Sequence, residues 1–125
     1  MLISRNYIIR RKRIVIEAEF VWSDDMFTLK ITGHAEGENS ALVCAAVSAI
    51  AQALGAWASE CGECELYRAE SGQLMLDCAS SERSSAAFEL ALTGLERISA
   101  AYPMGLRVEV SGAPFAQRRC MLDMF

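Results

Sequence analysis

Phe27-Thr28-Leu29-Lys30-Ile31-Thr32-Gly33-His34-Ala35-Glu36-Gly37-Glu38-Asn39-Ser40-Ala41-Leu42-Val43-Cys44-Ala45-Ala46-Val47-Ser48-Ala49-Ile50 changes its hydrophobic period in mid-course. Over the first six residues Phe27, Leu29 and Ile31 alternate with Thr28, Lys30 and Thr32, the period of a strand with one buried face. From Ser40 the stretch turns Ala-rich and apolar, the composition of a helix. Between them lie a Gly-His corner and a short polar loop, Ala35 to Asn39, with Gly37 for flexibility. The corner holds the only histidine of the chain, His34, and Cys44 follows ten positions later in the first turns of the helix. A helix N-terminus carries partial positive charge, which favours the thiolate of a nearby cysteine. A histidine at the adjoining strand end can take or return its proton.

Upstream, Ile14, Ile16, Ala18 and Phe20 alternate with Val15, Glu17, Glu19 and Val21. This is a second strand, joined to the first by the turn chemistry of Ser23-Asp24-Asp25 in an antiparallel hairpin. Downstream, Asn39 or Ser40 can cap the helix by accepting from a free backbone N–H. Leu42, Val43, Ala46, Val47, Ile50, Ala53, Leu54 and Trp57 fall on one broad helical face. Residues 65–69 and 73–78 flank Ser71-Gly72 in another hairpin signal. Ser80 or Ser81 opens a second helix with Phe88, Leu92, Leu95, Ile98 and Tyr102 at helical spacing. Gly94 inside it costs about 1 kcal/mol relative to Ala, so a close packing approach is expected there. Pro103 ends this helix, and Leu106, Val108 and Val110 alternate in a last strand. The order β-β-α-β-β-α-β predicts a two-helix α+β domain on a mixed or antiparallel sheet. At 125 residues the chain makes one domain, residues 1–125, with 1–12 as a possible extension and 111–125 as a peripheral tail.

Gly33-His34-Ala35, a loop, then Val43-Cys44-Ala45-Ala46-Val47-Ser48-Ala49 resembles the signature of the ribosomal-processing cysteine protease (Prp) family. Members of that family trim the N-terminal extension of a large-subunit ribosomal protein. The resemblance implies a catalytic pair of His34 and Cys44, with Gly33 and Ser48 as supporting positions, and it implies a homodimer. It extends more weakly through Gly94-Leu95 and Tyr102-Pro103. The loop is shorter than the family's, and Ser40-Ala41 stand where the family usually has Gly-Asp, so no carboxylate lies three residues before Cys44. A loop this short is expected to be ordered and to hold His34 close to Cys44. It leaves less backbone to fold over a substrate segment, so weak processing of the usual substrate is expected.

In such an enzyme Cys44 supplies the nucleophile and His34 the acid for the leaving amine. Backbone N–H groups at the helix start stabilise the oxyanion. Ser48, four residues after Cys44, shares its helical face and can orient the site; a serine there more often bonds its own helix backbone. Glu36 and Glu38 are the carboxylates available to orient His34. Cys44 also has a plainer reading as a small buried hydrophobe in an Ala-rich helix. The competing function is then a catalytically altered family member, a ribosome-associated interaction module with an inert Cys44.

The net charge of −4 argues against a general nucleic-acid surface. A ribosomal protein as substrate is itself expected to be basic, so this charge suits a protein partner. No run reads as long and apolar enough to span a bilayer. The N-terminal residues are a poor signal peptide, because their charges follow the apolar residues. Five cysteines cannot all pair within one chain, and a cytoplasmic, reducing setting is simpler. Cys61-Gly62-Glu63-Cys64 is a lone CxxC without the second pair a zinc ribbon needs, so neither a metal nor a cofactor is expected. Trp22 and Trp57 are read as core or interface residues. The nearly charge-free first helix exposes more apolar surface than one short second helix covers, which also points to a homodimer.

Overall fold

A computed structural model of the chain describes residues 15–113. Its order is β1 (Ile16–Trp22), β2 (Met26–Thr32), α1 (Ser40–Glu60), β3 (Cys64–Glu70), β4 (Gln73–Ala79), α2 (Glu82–Ala101) and β5 (Leu106–Ser111). Both expected hairpins and both expected helices are present. Ile14 and the extension at 1–12 lie outside the described residues. Of the tail expected from 111, Ser111 is instead the last residue of β5, and residues from 114 on lie outside the description.

The five strands form one sheet in the order β3-β4-β2-β1-β5. β1 pairs antiparallel with β2, β2 with β4, and β3 with β4, while β5 returns parallel to β1. The sheet is therefore mixed. Period-two burial follows the sequence pattern: Ile16, Ala18, Phe20 and Trp22 of β1 are buried, as are Phe27, Leu29 and Ile31 of β2 and Leu74, Leu76 and Cys78 of β4. Both helices cover this face. The other face carries Glu19, Lys30, Thr28 and Asp77, and there the Thr28 hydroxyl donates to the Asp77 carboxylate at 2.8 Å. Phe20, Trp22, Phe27 and Phe88 form an aromatic cluster beneath α2, with Trp22 and Phe27 centroids 5.0 Å apart. Trp22 is thus core, and Trp57 is half-buried with the Arg83 guanidinium 6.0 Å from its ring centroid.

α1 departs from the expected face. Its buried residues are Val43, Val47, Ala51, Leu54, Gly55 and Ala58, a stripe about a quarter turn away from the one weighted by Leu42, Ile50 and Trp57. Leu42 is 55% exposed. Small residues carry the rotation: a Cβ on Gly55 would collide with the Tyr67 ring of β3, so the helix lies closer to the sheet than a Leu-lined face permits. Ile50 instead meets α2, where a Cβ on Gly94 would stand 2.9 Å from its Cδ1, the close approach expected at that glycine. The bilayer expectation is corrected too. By length and composition alone α1, at 21 residues, is long and apolar enough to cross a membrane, and Val43, Val47, Ala51, Leu54 and Ala58 of it are buried in the fold. Its apolar character is spread over many alanines instead of a few large residues.

The two helices begin differently. Ser81 caps α2 in a capping box: its hydroxyl accepts from Ser84 N–H while the Ser84 hydroxyl accepts from Ser81 N–H. Asn39 precedes α1 in the left-handed region at φ 67° and makes no side-chain cap, contrary to expectation. In that conformation the side chain does not swing back over the first turn. Ser40 N–H donates to Gly37 carbonyl at 3.3 Å and Val43 N–H to Asn39 carbonyl at 3.0 Å.

Candidate active site

His34 and Cys44 line one cavity of about 420 Å³. Three walls build it, with Ile16 of β1 beside them. The end of β2 and the loop that follows it supply Ile31, Gly33 and His34. One edge of α1 supplies Cys44, Val47, Ser48, Ala51 and Gln52. The third wall, residues 69–74, is the tip of the β3–β4 hairpin. Cys44, Ser48 and Gln52 stand one above another at successive four-residue steps, on the boundary between the buried stripe and solvent. All four expected positions, Gly33, His34, Cys44 and Ser48, therefore border the same space.

The loop between β2 and α1, residues 33–39, is anchored by Ala35, which is buried among the core residues. His34 just before it is exposed and Cys44 is half-buried. Glu36 and Glu38 both face solvent, and neither has a hydrogen bond to His34. The imidazole is instead set by shape. Gly33 N–H donates to Gly72 carbonyl at 3.0 Å, and the His34 ring lies over Gly72, where an added Cβ would stand 2.5 Å from Nε2. Gly72 sits at φ 77° in the hairpin turn.

Ser48 does not bond its own helix backbone. Its Oγ accepts from Gln52 Nε2 at 2.6 Å. Ser59 and Thr93, by contrast, donate to the carbonyls four residues back.

The hairpin wall and Gln52 were not anticipated from sequence. Gln52 was legible in principle, because it is two helical steps beyond Cys44. The hairpin tip was not, because its place depends on β4 pairing with β2 in a register that sets Gln73 opposite Thr32.

The CxxC lies at the far end of β3. Cys61 Sγ accepts from Arg83 Nη2 at 3.4 Å, and Cys64 stands opposite Cys78 across β3 and β4. These three thiols are free, as is Cys44. Burial, then the neighbouring Cys64 and the carboxylates of Glu63, Asp77 and Glu65, push the Cys78 thiol up to about 12. Among the described residues no group of three or more His, Cys, Asp or Glu is placed to hold a metal ion.

Compared with known proteins, residues 14–107 match the family model described as "Cysteine protease Prp". The fold is similar to that of SMU.848 from Streptococcus mutans, at 23% identity over 78% of this chain and 97% of that one, with a TM-score of 0.61. It is also similar to an essential ribosomal processing protease, Prp from S. aureus. That protein in complex with a substrate peptide gives 14% identity over 78% of this chain and all of that one, with a TM-score of 0.67. In complex with a covalently linked product peptide it gives 15% identity and a TM-score of 0.63. No curated protein matches the chain.

Proposed function

This chain belongs to the cysteine protease Prp family, and from that premise we propose that it is a cytoplasmic cysteine endopeptidase that removes the N-terminal extension of a large-subunit ribosomal protein, with His34 and Cys44 as its catalytic pair. The observation that carries the reading is the shared cavity: the only histidine of the chain and, among the described residues, the one cysteine in the first turns of a helix border the same 420 Å³ space.

The chemistry runs in two halves. The Cys44 thiolate attacks the scissile carbonyl, and an imidazolium at His34 protonates the departing amine as the acyl-enzyme forms. Water then enters, His34 takes its proton, and the thioester is hydrolysed. The oxyanion is met by first-turn N–H groups. Ser40 and Val43 already donate to Gly37 and Asn39. Because Asn39 makes no side-chain cap, the N–H groups of Ala41 and Leu42 remain available for the oxyanion. Gly33 and Ser48 support the pair, Gly33 by its bond to the hairpin carbonyl and Ser48 from the next helical turn.

The homodimer belongs to the same proposal. Ala41, Leu42, Ala45, Ala49 and Ala56 leave α1 with an exposed face that carries no charge. A second copy is the partner that such a face fits.

The test is cleavage of a peptide spanning the extension junction of the ribosomal protein, by the intact chain and by Cys44→Ser and His34→Ala. Each variant is expected to lose roughly a thousandfold or more, because members of a catalytic unit fail together. Cleavage that persists in Cys44→Ser overturns the assignment. No cleavage by the intact chain, where the S. aureus protease succeeds on its own substrate, replaces the protease with an interaction module.

A further inference from the structure

We infer that Gln52 is a positioning residue: its side-chain amide fixes the direction of the Ser48 hydroxyl so that the hydroxyl proton is donated into the cavity toward Cys44. The inference rests on the protease reading and deepens it. Three observations carry it. Cys44, Ser48 and Gln52 form one column along the cavity edge of α1. Gln52 Nε2 donates to Ser48 Oγ at 2.6 Å. Ser48 makes no back-bond to the carbonyl four residues earlier, whereas Ser59 and Thr93 do.

A hydroxyl has one proton to give and two lone pairs to receive. Gln52 lies one turn beyond Ser48 and occupies a lone pair on that side. The proton is left to the remaining directions about the oxygen, and Cys44, one turn back on the same column, is the acceptor the proposal assigns to it. A donor held there stabilises negative charge on the sulfur or on the oxyanion formed from it, and it does so without reorganising during the reaction. In the free protein the Gln52–Ser48 bond faces water. A peptide lying over the cavity excludes that water and strengthens the bond.

Among the residues lining the cavity, the titratable groups are His34 at the β2 end, Cys44 on α1 and Glu70 at the end of β3. The residues contributed by β1 and β4, Ile16, Gln73 and Leu74, carry none. All variants below keep these groups.

Two substitutions at this exposed position separate the role from mere packing. Gln52→Glu is isosteric, but its carboxylate only accepts, so the Ser48 proton is pulled away from Cys44. Gln52→Met keeps the length and removes the bond. Two readouts are taken on the intact chain: alkylation of Cys44 by iodoacetamide across a pH series, mapped by mass spectrometry, and kcat and KM for the extension peptide. We expect Gln52→Glu to lower kcat about tenfold or more at nearly unchanged KM. The Cys44 alkylation curve should move to higher pH, and Gln52→Met should show a smaller change in the same direction. Thermal unfolding of both variants should match that of the unsubstituted chain. Unchanged kcat and unchanged alkylation curves in both variants, with an active unsubstituted chain, overturn the role of Gln52 and leave the protease reading standing. Cys44 that labels no faster than an unfolded-peptide control in the unsubstituted chain, with no cleavage, overturns both.

Discussion

At Gly72 two demands meet on one Cα: a φ of 77° and the His34 ring directly over the missing side chain. Gly72→Ala is expected to cost about 1–2 kcal/mol in urea unfolding from backbone strain alone, and to displace the imidazole. Gly72→Asn separates the effects, because Asn tolerates the left-handed region while its Cβ still meets His34. It should retain most of the stability and still lose most of the cleavage; an active Gly72→Asn would show that the hairpin does not set His34. Cys78 gives a second prediction at this scale. Its thiol is fully buried and pushed up to about 12 from an ordinary 9.0. Above pH 9 the unfolded chain releases this proton while the folded chain keeps it. Its contribution is therefore complete below pH 9 and is lost as pH rises toward 12. Urea midpoints between pH 8 and 11 should fall less steeply for Cys78→Ala than for the unsubstituted chain; parallel slopes would refute the assignment. The pairing of His34 with Cys44 at one cavity was legible because the two sit close in sequence. Gly72 was not, since it is brought to them only by strand pairing.

The helices show which elements announce themselves. α2 carries its start signal in Ser81 and its stop in Pro103, and its inward residues Phe88 and Leu95 are those that period 3.6 selects. α1 has the length and the apolar run, but its buried face is chosen by Ala51, Gly55 and Ala58, which a pattern weighted by large side chains passes over. Size complementarity with Tyr67, not hydrophobicity, sets that rotation. The caps predict different costs. Ser81→Ala removes the hydroxyl that accepts from Ser84 N–H, while the bond from Ser81 N–H to Ser84 Oγ remains, and should lower stability by about 1 kcal/mol. Asn39→Gly removes no cap bond, and glycine accepts φ 67° freely, so it should be neutral or slightly stabilising. Matched urea titrations compare them. A loss at Asn39→Gly as large as that at Ser81→Ala would mean that the Asn39 side chain holds the loop by another contact.

For the whole molecule, the sheet and α1 present opposite kinds of surface. The open sheet face is polar and cross-linked, with Thr28 bonded to Asp77 and Glu17 3.5 Å from Arg107. The outer face of α1 is mostly alanine from Ala41 to Ala56, with Leu42 exposed and no charge before Glu60. Small side chains let two helix backbones approach closely, so two copies related by a twofold axis would bury this strip against itself. Such an arrangement would place the two cavities on the flanks of one interface, because Cys44, Ser48 and Gln52 run along its edge. The charge pattern makes the prediction specific to that face. Sedimentation equilibrium at micromolar concentration should give a dimer. Ala49→Glu brings like charges together across the twofold axis, which costs several kcal/mol, and should give a monomer at the same concentration. Leu90→Glu, on the exposed side of α2 at 76% accessibility, should leave the dimer intact although it removes a larger apolar group. If Leu90→Glu dissociates the protein and Ala49→Glu does not, the interface lies on α2, and the alanine strip of α1 then has no part in assembly.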